Sequence, residues 1–232
     1  MFQHNENKVY ISIVVPVLNE SGSIEALLTA LAPLRRRDCE VILVDGGSED
    51  GTPARARAAC DRLLVSPAGR ARQMNAGARI ARGEILWFLH ADSGLPPDAD
   101  RRIGEVLRRG RRWGGFPVRL SGRQGLLRVV ERSMTLRSRV SGILTGDQGL
   151  FMTRELFESV GGFARLPLME DIDLCRRLKR KAGRPGFART YLCTSSRRWE
   201  RCGILRTILR MWVLRLAFWL GVPARRLAPF YV

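Results

Sequence analysis

The sequence predicts an α/β fold, a mostly parallel central sheet with helices on both faces, on three observations. Short aliphatic runs alternate with helix-patterned segments through the first hundred residues. The joints between them are brief, polar and glycine-containing, and the runs are mainly β-branched or aliphatic, as expected of strands buried on both faces. The runs are Ile11–Val17, 40–44 and 84–89, with a shorter one at 61–65. Helical patterns at 22–31, 52–59 and 72–81 separate them, the second with Pro53 near its start, where proline is tolerated. The order βαβαβαβ follows.

Beyond Asp92 the alternation breaks down. The pattern predicts a helix over 98–109, a strand over 115–120, a basic amphipathic stretch over 126–140 and a strand over 148–153. A helix over 170–181, a strand over 188–194 and a last helix over 203–220 complete the chain. No linker rich in Pro, Ser or Gly divides it and no repeat is visible, so residues 1–232 read as one domain. Arg206, Arg210 and Arg215 interrupt the last helix, and each would cost roughly 2.5–3.5 kcal/mol at a bilayer centre, so it is not expected to span. An interfacial helix and a core helix with snorkelling arginines fit it equally.

With 232 residues and 45% hydrophobic content the chain has ample material for a core, which excludes disorder as its main state. Five scattered cysteines with no C-x-x-C pair indicate neither a disulfide framework nor a zinc ribbon, and fit a reducing cytosol. The polar start MFQHNENKVY lacks the pattern of a signal peptide, so a cytoplasmic location is expected. The net charge of +18 is concentrated: residues 101–139 carry 12 basic and 2 acidic side chains, and residues 197–226 carry 8 and 1. Residues 117–140 contain no aromatic to stack on a base, so nucleic acid is not the expected partner, and an anionic membrane surface suits these segments better.

Ligands of open parallel sheets bind beyond the carboxyl ends of the strands, so the residues there carry the functional reading. They are Pro16-Val17-Leu18-Asn19-Glu20 after the first strand, Asp45 to Thr52 after the second and His90-Ala91-Asp92-Ser93 after the fourth. Any one of these alone reads equally as a helix cap. Together, Val14 to Glu20 and the turn Asp45-Gly46-Gly47-Ser48-Glu49-Asp50-Gly51-Thr52 resemble the family 2 glycosyltransferases of GT-A fold. The segments from Gly69 to Ala78 and from Ala81 to Asp92 are similar to that family's donor helix and metal-binding strand. The likeness is greatest to the subgroup called radical-SAM/selenodomain-associated transferase 2, and it covers essentially the whole chain.

The resemblance implies a nucleotide-sugar-binding half (1–95), an acceptor and catalytic half (96–202) and a hydrophobic, basic C-terminal helix (203–232). It implies donor contacts from Pro16, Asn19, Glu20, Asp45, Ser48, Arg70, Arg72, Asn75, Ala91 and Asp92. Asp45 would accept from base or ribose, and Arg70 and Arg72 would neutralise phosphate charge. Asp92 matches the second acid of the family's Asp-x-Asp and would hold a divalent cation, Mn²⁺ or Mg²⁺. The first acid is replaced by His90, an imidazole that suits Mn²⁺ better than Mg²⁺.

On the acceptor side, Gly146-Asp147-Gln148-Gly149 and the run from Met169 to Leu178 resemble the family's Glu-Asp-x-Asp-Leu-x-x-Arg-Leu region and the strand before it. Asp171 is thereby the expected general base, taking the acceptor hydroxyl's proton opposite the departing diphosphate, with inversion at the anomeric carbon. Asp147, Gln148 and Glu170 would line the acceptor or diphosphate, and Arg198-Trp199 match the end of a Gln-x-x-Arg-Trp motif with the same implied role. The expected function is an inverting, metal-assisted glycosyltransferase acting on an acceptor that a membrane-proximal surface would make lipid-linked. The competing readings are a nucleotidyltransferase, which lacks its N-terminal lysine loop here, and a basic membrane-surface or nucleic-acid-binding protein on a degenerate scaffold.

Overall fold

The computed structural model describes residues 10–231, with the side chain of Arg198 outside the described set. The strands β1 (Ile11–Val17), β2 (Glu40–Asp45), β3 (Arg62–Val65) and β4 (Ile85–Phe88) lie parallel in the order β3-β2-β1-β4, as the aliphatic runs predict. The helices α1 (Ile24–Arg35), α2 (Thr52–Ala56) and α3 (Arg70–Ile80) connect them. Every residue of β1 and β2 is buried, because alternate side chains feed two cores. Ile13, Val15 and Leu43 pack with Leu27 and Leu31 of α1, whereas Val14, Ile42 and Val44 pack with Met74 and Ala78 of α3. The sequence ends α1 at residue 31, before Pro33. The observed helix carries Pro33 in its last turn because fully buried Leu34 anchors the end and its carbonyl receives the Arg37 and Cys39 amides.

The sheet continues past β4 through α4 (Ala99–Arg108) into shorter strands. Here β5 (Trp113–Gly115) and β6 (Val118–Leu120) replace the single strand expected over 115–120. Pro117 between them has no N–H to donate to a ladder, and the chain there leaves the main sheet. After α5 (Gly125–Ser141) and a 3₁₀ turn at Gly146–Gln148 comes β7 (Phe151–Thr153), antiparallel to both β4 and β5. Then follow α6 (Arg154–Ser159), in the region likened to the family's strand and helix before its acidic run, and α7 (Glu170–Ala182). Of the strand expected over 188–194 only β9 (Leu192–Thr194) forms, beside β6, and it is preceded by β8 (Gly186–Phe187) beside β5. The full order is β3-β2-β1-β4-β7-β5-β8, with β6-β9 a separate parallel pair.

The chain closes with α8 (Arg197–Cys202), α9 (Ile204–Trp219) and α10 (Ala224–Leu227), followed by a 3₁₀ turn at Ala228–Tyr231. Only Ile204, Thr207 and Leu214 of α9 are buried, which rules out a core helix. Leu205, Leu209, Trp212, Leu216 and Trp219, spaced as one helical stripe, are between 56% and 70% exposed, with Arg206 and Arg210 beside them. Among the described residues no helix is long and apolar enough to cross a membrane.

All five cysteines are free. Burial pushes the Cys39 thiol up to about 12 and raises Cys175 as well, while Cys202 is exposed. At pH 8 an alkylating reagent is expected to label Cys202 and leave Cys39 and Cys175 unmodified until the chain unfolds, because the thiolate is the reactive form. Mass mapping checks this. Labelling of Cys39 at the rate of Cys202 would contradict it.

Candidate active site

The loops after β1 and β2 are tied to each other before any ligand arrives. Asn19 adopts a left-handed backbone (φ 54°), which asparagine tolerates better than most residues. In that pose its N–H donates to Ser48 Oγ at 2.9 Å and its Oδ1 accepts from the Glu49 N–H at 3.0 Å. The Glu20 N–H donates to Thr52 Oγ1, and the Ser21 N–H to Asp50. Hydrogen bonds from the Thr52 hydroxyl and the Ser21 amide hold the Asp50 carboxyl well below the usual carboxylate range. Asp45, expected to face base or ribose, has both oxygens engaged in its own turn. Oδ1 accepts from Ser48 Oγ at 2.5 Å, and Oδ2 accepts from the Gly47 and Ser48 N–H groups at 3.0 Å. Asp45 and Ser48 therefore shape the rim, and neither lines the cleft below.

Gln73, which lies in the segment likened to the donor helix but is not among the expected site residues, joins the strand ends. Its buried amide donates to the Val17 and Val44 carbonyls, both at 2.8 Å. A Cβ on Gly46 would stand 3.1 Å from that amide nitrogen, so glycine there lets the turn lie against it. Loss of the amide would take a buried donor from both carbonyls, with the Val17 carbonyl keeping the Gly46 N–H, at a net cost of about 0.5–1.5 kcal/mol for each bond lost.

Beyond these ends opens a cleft of about 550 Å³. It brings together Pro16, Glu20, Arg70, His90, Ala91, Asp92, Asp147 and Trp199 of the expected site residues. Arg70, at the start of α3, has its Nε 3.4 Å from Glu170 Oε1 and its guanidinium 5.9 Å from the Tyr231 ring centre. Burial opposes its charge, but Glu170, Tyr231 and Asp171 outweigh burial and hold the cation. Burial and the neighbouring Asp171 push the Glu170 carboxyl up despite Arg70.

His90 stands otherwise than expected. Its Nδ1 lies 3.4 Å from Asp147 Oδ1, and Nε2 abuts Gly146, where a Cβ would come within 2.5 Å. Burial draws the imidazole down, and the bond to Asp147 more than restores it, leaving it raised. Both ring nitrogens thus face the Gly146–Asp147 turn, so His90 anchors that turn and Asp92 is left as the carboxylate at this strand end able to meet a cation. Among the described residues no cluster of three or more His, Cys, Asp or Glu side chains forms a cage for a metal. The donor set fits a cation bound by a carboxylate together with substrate phosphates, the usual arrangement for Mg²⁺ at phosphate sites.

The acceptor-side residues stand mostly behind the cleft wall. Asp171 Oδ2 accepts from the Gly146 N–H at 2.9 Å. Gln148 is fully buried, its Oε1 accepting from Ser138 Oγ and the Thr145 N–H and its Nε2 donating to the Phe116 carbonyl. Glu170 opens α7 after Met169, a non-glycine residue at φ 65°, a backbone pose that costs energy and gathers at functional sites. Two further donor-side candidates stand away from this cleft. Asn75 is latched to the Phe163 backbone by two hydrogen bonds, and Arg72 lines a separate pocket of about 240 Å³ with Arg79 and Arg165. The expectation for the Arg198 side chain lies outside the described residues.

The family model described as "Glycosyl transferase family 2" matches residues 12–153, from β1 to β7. The chain belongs to this family. A similar curated relative is the undecaprenyl-phosphate 4-deoxy-4-formamido-L-arabinose transferase of Yersinia pestis bv. Antiqua (strain Angola). It is 31% identical over 161 residues, covering 64% of this chain and 49% of the relative. This glycosyl transferase family 2 chain therefore spans about half the length of that curated relative.

Among solved structures, glucosyl-3-phosphoglycerate synthase from Mycobacterium tuberculosis with Mn²⁺, UDP and phosphoglyceric acid superimposes with a TM-score of 0.66. The two are 23% identical, over 93% of this chain and 80% of that one. The mannosyltransferase PcManGT from Pyrobaculum calidifontis with GDP-Man and Mn²⁺ gives 0.63 at 23% identity, over 80% and 56%. At these identities the likeness establishes the fold, which is the GT-A fold.

Proposed function

We propose that this chain is an inverting, metal-assisted glycosyltransferase that moves a sugar from a nucleoside-diphosphate donor to a lipid phosphate at an anionic membrane surface. The observation that carries the reading is the pairing of opposite charges in one cleft at the strand ends: Asp92 on the β4 side and Arg70, kept cationic, at the head of α3. A donor's diphosphate and its cation require that combination. Asp92 would hold Mn²⁺ or Mg²⁺ with the phosphates, and the ion would stabilise charge on the leaving diphosphate. Arg70 adds a fixed positive charge to the same group, in an orientation set by Glu170.

The acceptor class is supported by the printed name of the Yersinia pestis relative, and by the exposed apolar stripe of α9 with arginines beside it, a pattern of interfacial helices. It also alters the reading of Asp171. A hydroxyl acceptor needs a base, whereas a phosphate oxygen is already ionised near neutral pH. With its Oδ2 on the Gly146 N–H, Asp171 then acts as a positioning residue that fixes the turn carrying Asp147. Within the family we place the chain with the subgroup its motifs resemble, residues 1–95 serving the donor and 96–202 the acceptor, in the cytoplasm at the inner membrane face.

Thermal unfolding against UDP, GDP, CMP and dTDP, each with and without Mn²⁺ or Mg²⁺, tests the donor site. A metal-dependent rise with one nucleotide is expected, worth about 2.7 kcal/mol when the ligand exceeds its Kd a hundredfold. No rise with any nucleotide would overturn the reading.

A further inference from the structure

A second cavity, about 370 Å³, runs as a groove between α5 and α9. Val129, Val130, Met134, Ile208, Met211 and Trp212 give it a mainly apolar lining. It is continuous with the cleft, since Met134, Asp147, Trp199 and Met211 line both. Its α9 wall lies beyond the residues that the family model matches.

Two guanidinium groups interrupt this lining, and among the described residues neither forms a salt bridge. Arg137 has a hydrogen bond to Ser138 Oγ at 3.2 Å, and Arg215 Nε is buried with no hydrogen-bond partner. Burial draws the Arg137 guanidinium below its ordinary range, with Asp171 and Asp147 opposing from a distance. Both arginines are half-buried, and a site that keeps two cations without close anions beside an apolar trough is matched to an anion with a hydrocarbon tail.

We infer that the α5–α9 groove seats the acceptor, the first segment of its hydrocarbon chain lying between the helices and its phosphate monoester held by Arg137 and Arg215 at the edge of the cleft. The inference rests on the proposed transfer to a lipid phosphate and locates it. An ionised phosphate oxygen forms the new bond to the anomeric carbon as the bond from that carbon to the donor's β-phosphate oxygen breaks. The bonding pair leaves with the nucleoside diphosphate and no proton is removed. The rest of the chain stays in the bilayer, against which the α9 stripe lies.

Titration of the full chain with farnesyl phosphate, farnesol and inorganic phosphate by calorimetry tests the assignment, using Ser133→Trp and Arg215→Gln. Ser133 is exposed at the groove wall, so tryptophan there fills the groove without entering the core. The unfolding temperature of each variant reports its folding. Farnesyl phosphate is expected to bind the native chain at least tenfold more tightly than farnesol or inorganic phosphate, and each variant is expected to weaken it at least tenfold. Equal binding to native chain and both variants would remove the groove while leaving a lipid acceptor elsewhere. No binding of farnesyl phosphate alongside an intact nucleotide response would sink both the groove and the lipid acceptor. Inorganic phosphate binding as tightly as farnesyl phosphate would reduce the site to an anion site and overturn the role of the groove.

Discussion

Alanine in place of Asp92 is expected to abolish sugar transfer, by about 10³-fold or more, and to remove the metal-dependent part of nucleotide stabilisation. The other carboxylates lining the cleft are already occupied. Glu20 accepts the Ser23 hydroxyl at 2.5 Å, and Asp147 faces His90. Asp92 accepts no hydrogen bond from a described residue, and it stands at the carboxyl end of a central strand. Removing one well-placed electrostatic contact to a leaving group costs about 10²–10³ in rate, and removing a cation's protein ligand exceeds that. Stability without nucleotide should change by only about 0.5 kcal/mol, since the half-buried side chain holds nothing else in place. Single-turnover transfer with the donor identified by unfolding is the measurement. Activity within tenfold of native would remove Asp92 from the reaction.

The largest effect on stability is expected at Gly114. A Cβ there would lie 2.2 Å from the Gly186 carbonyl oxygen and 2.9 Å from the Phe151 ring. Both neighbours are fixed, because β5 pairs with β7 on one side and with β8 on the other. Overpacking against yielding side chains costs about 1–3 kcal/mol, and here one neighbour is backbone, so Gly114→Ala should lose about 3 kcal/mol or more. Gly125→Ala is the control, since a Cβ there meets nothing within 4 Å at the start of α5. Urea midpoints at unchanged slope read both effects. A loss under about 1 kcal/mol at Gly114 would mean that the strand shifts to make room.

The front half was legible because local pattern and final environment agree there. A run such as Ile11–Val17 is apolar at every position but Ser12, whose hydroxyl donates to Glu40, because every position is buried, and no other element fits it. The back half was less so. Residues 115–120 look like one strand, and only the three-dimensional path shows that the chain changes sheets between Gly115 and Val118.

Motifs pick out the loops that meet at the cleft without the direction of each side chain. Asp45 and Asn75 stand where expected along the chain, yet one folds into its own turn and the other grips Phe163. Gln73 lies in the segment likened to the donor helix without being an expected site residue, and Arg137 belongs to no motif. Gln73 has its role because two strand ends converge on it, and Arg137 because α9 packs opposite, and neither fact is local in sequence.

On the proposed reading, the outward stripe of α9 would change the kind of encounter this protein has with its acceptor. A helix resting in the headgroup layer would confine the chain to a plane, so the groove beside it would meet lipids arriving sideways within that plane. Supply would then be set by how many acceptor molecules share each patch of bilayer and by how fast they diffuse laterally, and the volume of solution around the membrane would drop out.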